Sequence, residues 1–181
     1  ISDGESRDAL IVKFSAGGSV EWVRVFAGTQ SDQFECVAVM KDGYAAAGTT
    51  QSSDGDMTGL FSAKEDAVVV KYDLTGSQQW VRALGGTEND RCTALGASGK
   101  ELLVAGYTAS TDLSFADMDS KGGYEGFVYR LDSDGSPLWW TSLGSTGWDR
   151  FTGIFPLSGG FAVSGYTNKA DNDLESLSAL G

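Results

Sequence analysis

Short apolar runs separated by turn residues occur along the whole chain. In the stretch 66–108 the runs DAVVVKY, QQWVRAL, RCTAL and ELLVAGYT alternate with segments rich in glycine, threonine and asparagine, which predicts four short β-strands. The run ALIVKFS at 9–15 is almost continuously apolar, as expected for a strand that is covered on both faces. The pattern therefore predicts an all-β protein with buried sheets.

The four-strand pattern occurs three times, in predicted units at about 8–50, 66–108 and 125–167. Each unit carries a tryptophan, an aspartate and a glycine at matching positions, and successive copies lie 58 and 59 residues apart. These markers are Trp22, Trp80 and Trp139; Asp32, Asp90 and Asp149; and Gly48, Gly106 and Gly165. Self-similarity at a fixed period is typical of repeat architectures. Connectors rich in serine, aspartate and glycine follow the units, at 51–65, 109–124 and 168–181.

Charge and composition exclude several classes of function. Thirteen basic and 25 acidic residues give a net charge of −12, and such a surface repels the phosphate backbone of nucleic acids. The chain has no histidine, which removes the commonest general base and transition-metal ligand. No apolar run of membrane-spanning length is present. The chain begins at Ile1 without a recognisable signal peptide, so we expect it to be part of a longer protein.

Four antiparallel strands per unit favour a β-propeller blade. The motifs DAVVVKY, GSQQW, GGTEND and the later AGYT resemble the bacterial β-propeller repeat family known as SBBP. The resemblance covers all three units, although the third has Glu125, Arg130 and Ser145 where the pattern has aspartate, lysine and glycine. It implies an extracellular or cell-surface bacterial protein that acts as a scaffold or adhesive module, without catalytic residues to carry over.

The segment DLTGSQQW, from Asp73 to Trp80, is similar to a motif of pyrroloquinoline-quinone-type propellers. This weaker resemblance implies that the tryptophan docks one blade against the next. Three units are fewer than the four to eight blades of known propellers. We therefore expect an open arc that is completed either by further blades of the same protein or by a second copy, in a homodimer with a six-blade ring.

The repeated markers are interpreted as structural residues. Aspartates that follow a glycine-rich turn accept hydrogen bonds from backbone N–H groups, repeated tryptophans pack between blades, and small residues suit crowded strand positions. Cys36 and Cys92 are predicted to be buried free thiols, with a disulfide between units as the alternative.

Two sets of residues remain as candidates for binding. Trp148 and Trp140 are not repeated, and we expect Trp148 to be partly exposed and to stack on a ligand. The connector aspartates are candidate calcium ligands, because carboxylates beside glycine or serine suit a hard cation. They are Asp54, Asp56, Asp112, Asp117, Asp119, Asp171 and Asp173. No other cofactor is suggested.

The sequence therefore predicts a non-catalytic surface module that adheres to a glycan or a protein. Two alternatives remain open: a fragment of a glycan-active propeller enzyme that uses carboxylates, and a self-assembly module that pairs through exposed strand edges. Neither nucleic-acid binding nor membrane insertion is expected.

Overall fold

The computed structural model describes residues 6–60 and 64–175; positions 1–5, 61–63 and 176–181, which include parts of the predicted connectors, lie outside the described residues. The described chain has twelve strands in four antiparallel sheets, which confirms the all-β class. Single turns of 3₁₀ helix occur at Gly55–Met57, Leu113–Phe115 and 172–175. The strands are β1 (Ala9–Phe14), β2 (Val20–Phe26), β3 (Asp32–Met40), β4 (Gly43–Thr50), β5 (Asp66–Asp73), β6 (Gln78–Leu84), β7 (Asp90–Ser98), β8 (Glu101–Thr108), β9 (Glu125–Leu131), β10 (Pro137–Leu143), β11 (Asp149–Leu157) and β12 (Gly160–Thr167).

The sheets are offset by half a unit from the predicted blades. Two sheets have four strands, in the orders β3-β4-β5-β6 and β7-β8-β9-β10, and two sheets are the strand pairs β1-β2 and β11-β12. The predicted blades at 8–50, 66–108 and 125–167 do not coincide with these sheets. The long connectors suggest boundaries between blades. The connector 51–65, however, joins β4 to β5, which are antiparallel neighbours in one sheet. The short turn at 85–89 leads from one sheet to the next.

Strand β5 is buried on both faces because a sheet lies on either side of it. Val68 and Val70 belong to a hydrophobic cluster with Phe26 of β2, whereas Val69 belongs to a cluster with Leu102 of β8. All three valines are fully buried. At about 25 cal/mol per Å² of apolar surface removed from water, this burial between sheets is the main stabilising contribution to the fold.

Strand β1 has a similar sequence but lacks a neighbour on one side. Leu10 and Phe14 are 54% and 58% exposed, whereas the equivalent residues of β5, Val68 and Tyr72, are 0% and 2% exposed. The prediction that β1 is covered on both faces is therefore wrong for the described chain. The sheet that contains β5 covers it from one side only.

The first strands of successive sheets lie next to one another. Strand β7 contacts β3, and β11 contacts β7 and β8. The ring of Pro156 on β11 lies against the backbone of Gly96 on β7. Neighbouring sheets therefore contact each other mainly near their first strands, β3, β7 and β11.

The repeated glycines lie at β-bulges, where a side chain has no room. A Cβ atom at Gly48, Gly106 or Gly165 would lie 1.9 to 2.0 Å from a carbonyl oxygen of the neighbouring strand. The strand register shifts at these three places, between positions 34 and 36, 92 and 94, and 151 and 153. A bulge brings the opposing backbone closer to the paired residue, which explains why glycine recurs with the repeat.

Replacing Gly106 with alanine is expected to destabilise the fold. The new Cβ would meet the carbonyl oxygen of Arg91 at 1.9 Å, so the buried β7-β8 pair must shift, at a cost of about 2–3 kcal/mol. Urea unfolding of Gly106→Ala measures the loss. Gly160→Ala is the matched control, because no atom lies within 4 Å of its Cβ position; equal stability of the two variants would contradict the bulge explanation.

Candidate functional site

The repeated aspartates hold the turns between sheets. Asp32 accepts hydrogen bonds from the hydroxyls of Thr50 and Ser52, at 2.5 and 2.9 Å, and from the Gly28 N–H at 2.9 Å. Asp90 has the equivalent partners Thr108, Ser110 and Gly86. Asp149 accepts from the N–H and hydroxyl of Ser145. All three are at most 3% exposed. A buried carboxylate with these partners stabilises the turn and is not available to a ligand.

The connector aspartates make a second set of contacts with the same turns. The Oδ1 atoms of Asp54, Asp112 and Asp171 accept the backbone N–H groups of Thr29, Thr87 and Thr146 at 2.8, 2.9 and 2.7 Å. Asp56 and Asp173 accept the N–H groups of Ala27 and Gly144. These bonds fasten each long connector to the turn through which the chain enters the same sheet.

The structure does not assemble the predicted calcium site. Across residues 6–60 and 64–175, no group of three or more acidic or cysteine side chains is placed to hold a metal ion. The physical reason is that Asp54, Asp112 and Asp171 lie at separate turns and are engaged by backbone N–H donors there. Their equal spacing in the sequence reflects a repeated turn, and equal spacing along a repeat separates residues in space.

The tryptophans of β2 and β6 pack on the hairpin turn of the following sheet. A Cβ atom at Gly76 would lie 2.8 Å from the Trp22 ring, and one at Gly135 would lie 2.9 Å from the Trp80 ring. The indole N–H of Trp80 also donates to the carbonyl of Ser133 at 3.0 Å. Glycine at these turns lets the ring lie flat against the backbone. These two tryptophans are therefore inter-sheet contacts.

Trp139, the third copy, has no following turn to cover it in the described chain. Its ring stacks on Phe161 of β12, with centroids 5.7 Å apart. This tryptophan is therefore also a contact between sheets, made with the strand β12 and not with a hairpin turn.

Trp148 is 54% exposed, as expected, but it belongs to an aromatic cluster around Arg150. The Arg150 guanidinium lies 4.3 Å from the Tyr107 ring, 5.0 Å from Tyr124 and 5.8 Å from Trp148. Trp148 also contacts Tyr124 edge to face. Cation–π contacts of this kind are favourable at partly desolvated sites. The Arg150 guanidinium and the Tyr124 ring therefore cover part of the Trp148 side chain, and the rest of it remains exposed.

Trp140 lines an open cavity of about 440 Å³ on the connector side of the second four-stranded sheet. One face of its ring stacks on Tyr129 at 5.7 Å, and Phe115 contacts it edge to face. The packing fixes the ring while part of it remains accessible. The other lining residues are polar: Asp117, Asp119, Lys121, Thr141, Ser142 and Asp173.

This cavity brings together predicted residues from two sets. Trp140 is predicted to stack on a ligand, and Asp117, Asp119 and Asp173 are predicted to bind a cation. The structure places all four residues in the lining of the same cavity. Asp119 pairs with Lys121, whose pKa is raised mainly by that hydrogen bond. Sequence analysis missed Lys121, Thr141 and Ser142. The alternation along β10 could have pointed to Ser142, two positions after Trp140 on the same strand face.

Asp66 is a buried carboxyl without a catalytic setting. It is fully buried, and neither of its oxygens has a hydrogen-bond partner among the described residues. Burial raises its pKa to about 7, and the nearby Asp90 carboxylate adds to the shift. A raised carboxyl pKa can indicate an acid catalyst, but no substrate can reach a group without exposed surface.

The two cysteines are free thiols in the structure, and Cys92 is buried while Cys36 is partly buried. Burial raises the pKa of the Cys92 thiol, and the adjacent Cys36 side chain contributes to the shift. The pair joins β3 to β7, the first strands of the two four-stranded sheets. A protonated thiol of this kind packs as a small apolar group.

Part of a bacterial regulatory protein is similar in sequence to this chain. No protein-family model matches the chain. The regulatory protein FlaEY of Caulobacter vibrioides is 28% identical over 141 residues, which are 74% of this chain. The matched region is only 15% of the length of that protein. Within the described residues, no helix is long and apolar enough to cross a membrane.

Replacing Asp66 with asparagine is expected to change the pH dependence of stability. Because the pKa of Asp66 is raised in the folded state, folding becomes less favourable as the pH rises from about 4, the unfolded value, through about 7. At pH 8 the variant should unfold with a free energy higher by about 2 kcal/mol, and at pH 4 the gain should vanish. Urea unfolding at both pH values measures this.

The control is Asp134→Asn, because Asp134 is exposed on the β9-β10 turn and the same replacement there leaves the buried Asp66 carboxyl in place. A gain for Asp66→Asn that is the same at pH 4 and pH 8 would show that the carboxyl is not charged when buried, and would overturn the explanation.

Proposed function

We propose that this chain is a non-catalytic, β-propeller-like module that binds a neutral glycan in the cavity beside Trp140. The propeller-like arrangement is supported by the four-stranded antiparallel sheets and by the adjacent first strands β3, β7 and β11. Contacts of Trp22 and Trp80 with the turns of following sheets also support it. In such an arrangement, the connectors lie on one rim, where ligands bind without disturbing the sheets.

The cavity beside Trp140 is the observation that supports glycan binding. A fixed indole ring offers an apolar face on which the C–H groups of a sugar can stack. Carboxylates and hydroxyls around it, from Asp117, Asp119 and Ser142 among others, can accept or exchange hydrogen bonds with sugar hydroxyls. A few convergent polar groups around an apolar surface are the usual composition of a small-molecule site.

The charge of the chain limits the ligand. A net charge of −12 disfavours sulfated or carboxylated glycans, and three carboxylates in the cavity add local repulsion. A neutral oligosaccharide has no such penalty. A basic protein segment is the second ligand that the charge permits, and it would bind through the carboxylates rather than through the ring.

A surface location in a bacterium is part of the proposal and is supported by the resemblance to SBBP repeats. The similar protein FlaEY bears the name of a regulatory protein, which is compatible with a module that acts by binding. The buried positions of Asp32, Asp90 and Asp149 favour a structural role for the repeated carboxyls over glycoside hydrolysis.

The test is a neutral-glycan array followed by calorimetry on the ligand found. Trp140→Ala should weaken binding at least about tenfold, since a central aromatic contact commonly contributes this much. Trp140→Phe should retain part of the affinity. Trp148→Ala is the matched control, because Trp148 lies in the separate Arg150 cluster and its removal should leave binding unchanged.

Three results would contradict the glycan proposal. One is the absence of any neutral-glycan ligand, and another is a ligand whose affinity depends on Trp148 and not on Trp140. A ligand lost with Asp117→Asn and Asp119→Asn but retained in Trp140→Ala would indicate a basic partner instead.

A further inference from the structure

The first strands of the chain present an uncovered apolar face. Val37 and Val39 on β3 are 59% and 72% exposed, and Leu10 and Phe14 on β1 are 54% and 58% exposed. These four residues line a cavity of about 410 Å³ between β1 and β3. A patch of this kind on a folded protein commonly marks an interface. We refer to Leu10, Phe14, Val37 and Val39 as the leading face.

The last strand pair presents another uncovered apolar face. Phe155 and Leu157 on β11 are 68% and 55% exposed, and Tyr166 on β12 is 54% exposed. We refer to Phe155, Leu157 and Tyr166 as the trailing face. Nearly every residue of β12 is exposed, because in the described chain this strand pairs only with β11.

The two faces match because the chain already contains the contact that they would make. On β7, Gly96 packs against Ile154 and Pro156 of β11: its Cβ position is 3.0 Å from the Pro156 ring and 3.6 Å from Ile154. By the repeat offset, Phe155 is equivalent to Gly96. Val37 and Val39 are likewise equivalent to Ile154 and Pro156. Phe155 of one copy would therefore pack against Val37 and Val39 of another copy, as Gly96 packs against Ile154 and Pro156 within the chain.

The leading face has room for the larger side chain that Phe155 has in place of Gly96. Glycine at position 96 needs no space, but phenylalanine at 155 needs a recess, and the 410 Å³ cavity lies beside Val37 and Val39. The internal equivalents Ala38 and Met40 are only 9% and 4% exposed once the next sheet covers them. Covering Phe155 and Leu157 in the same way would remove the largest apolar side chains of the trailing face from water.

The free edges of β12 and β1 can also pair with each other, in the same antiparallel orientation as the second and third strands of the complete sheets. In both complete sheets the second strand pairs with the third: Ala46 faces Val70, and Val104 faces Tyr129. Strand β12 is equivalent to these second strands, and β1 is equivalent to the third strands. The same register would place Val163 opposite Val12. One docking movement therefore pairs β12 with β1 and covers both faces.

We propose that a second copy of this chain docks its trailing face on the leading face of the first, and that two copies close into a ring through two such joints. Each joint forms a four-stranded sheet in the order β11-β12-β1-β2, with β1 and β2 from the partner copy. Continuity with the two internal sheets is the argument for a second copy as the occupant. An edge strand with unpaired N–H and C=O groups favours this pairing, and joints that close avoid open polymers.

The first test is the solution mass over a range of chain concentrations. The proposal predicts a species of about 38 kDa, twice the 19.0 kDa chain. Val39→Glu and Phe155→Glu should each shift the dimer to 19.0 kDa, raising the dissociation constant at least about a hundredfold, because a carboxylate would be buried without a partner. Both sites are exposed in the single chain, so the variants should fold.

The matched control is Leu74→Glu, because Leu74 is 58% exposed on the β5-β6 turn and lies outside both faces. It should leave the dimer intact. A single chain of 19.0 kDa at every concentration, or a dimer that Val39→Glu and Phe155→Glu do not weaken, would overturn the proposal. A ladder of larger species would overturn closure by two copies.

The second test fixes the register. In a background with Cys36→Ala and Cys92→Ala, a mixture of Val12→Cys and Val163→Cys chains should form a covalent dimer under mild oxidation, since directly opposed strand residues have Cα atoms about 4.5–5.5 Å apart. The mixture of Phe14→Cys and Val163→Cys is the off-register control. Equal cross-linking in both mixtures would contradict the register. The joint variants leave Trp140 unchanged, so failure here is distinguishable from failure of glycan binding.

Discussion

Each sheet of this protein carries apolar side chains on both faces, and each must therefore be covered on both sides. Strand β5 satisfies this requirement within the chain: Val68 and Val70 pack toward one neighbour and Val69 toward the other. The aspartate network at each turn sets how one sheet leads to the next, since Asp32 and Asp90 join the turn to hydroxyls at and just beyond the end of the second strand of the sheet. In the described chain the end pairs β1-β2 and β11-β12 are incomplete sheets. Phe155 on β11 and Val39 on β3, which lies beside the β1-β2 pair, are therefore exposed.

The sequence predicted the strands and the roles of the repeated residues well, because those depend on local pattern. The run VEWVRVF matches β2, Val20–Phe26, and the repeated glycines lie where backbones approach closely. The grouping of strands into sheets was not predictable in the same way. A connector of some 15 residues suggests a boundary between blades, but antiparallel neighbours can also be joined by a long loop. The pairing of β4 with β5, up to Thr50 and Asp66, shows that this connector lies within a sheet.

The candidate site was predicted only in part, for a related reason. Equal spacing grouped Asp54, Asp112 and Asp171, although a repeat places equivalent residues in different sheets. The residues that do meet, Trp140 and Asp173, come from different strands and connectors with no shared spacing. Trp140, which is not repeated, was the useful signal, because the repeated aspartates at the turns are accounted for by buried hydrogen bonds.

The central claim is that the end strands are unfinished sheet that a second copy completes, and hydrogen exchange tests it most directly. The amides of 9–14 and 160–167 that point to the free strand edges, away from β2 and β11, should exchange quickly at low chain concentration. They should become protected as the concentration rises, because β12 and β1 then pair. Amides of 43–50 and 66–73, already paired within the chain, should stay protected throughout. Exchange in the end strands that does not depend on concentration would contradict the account.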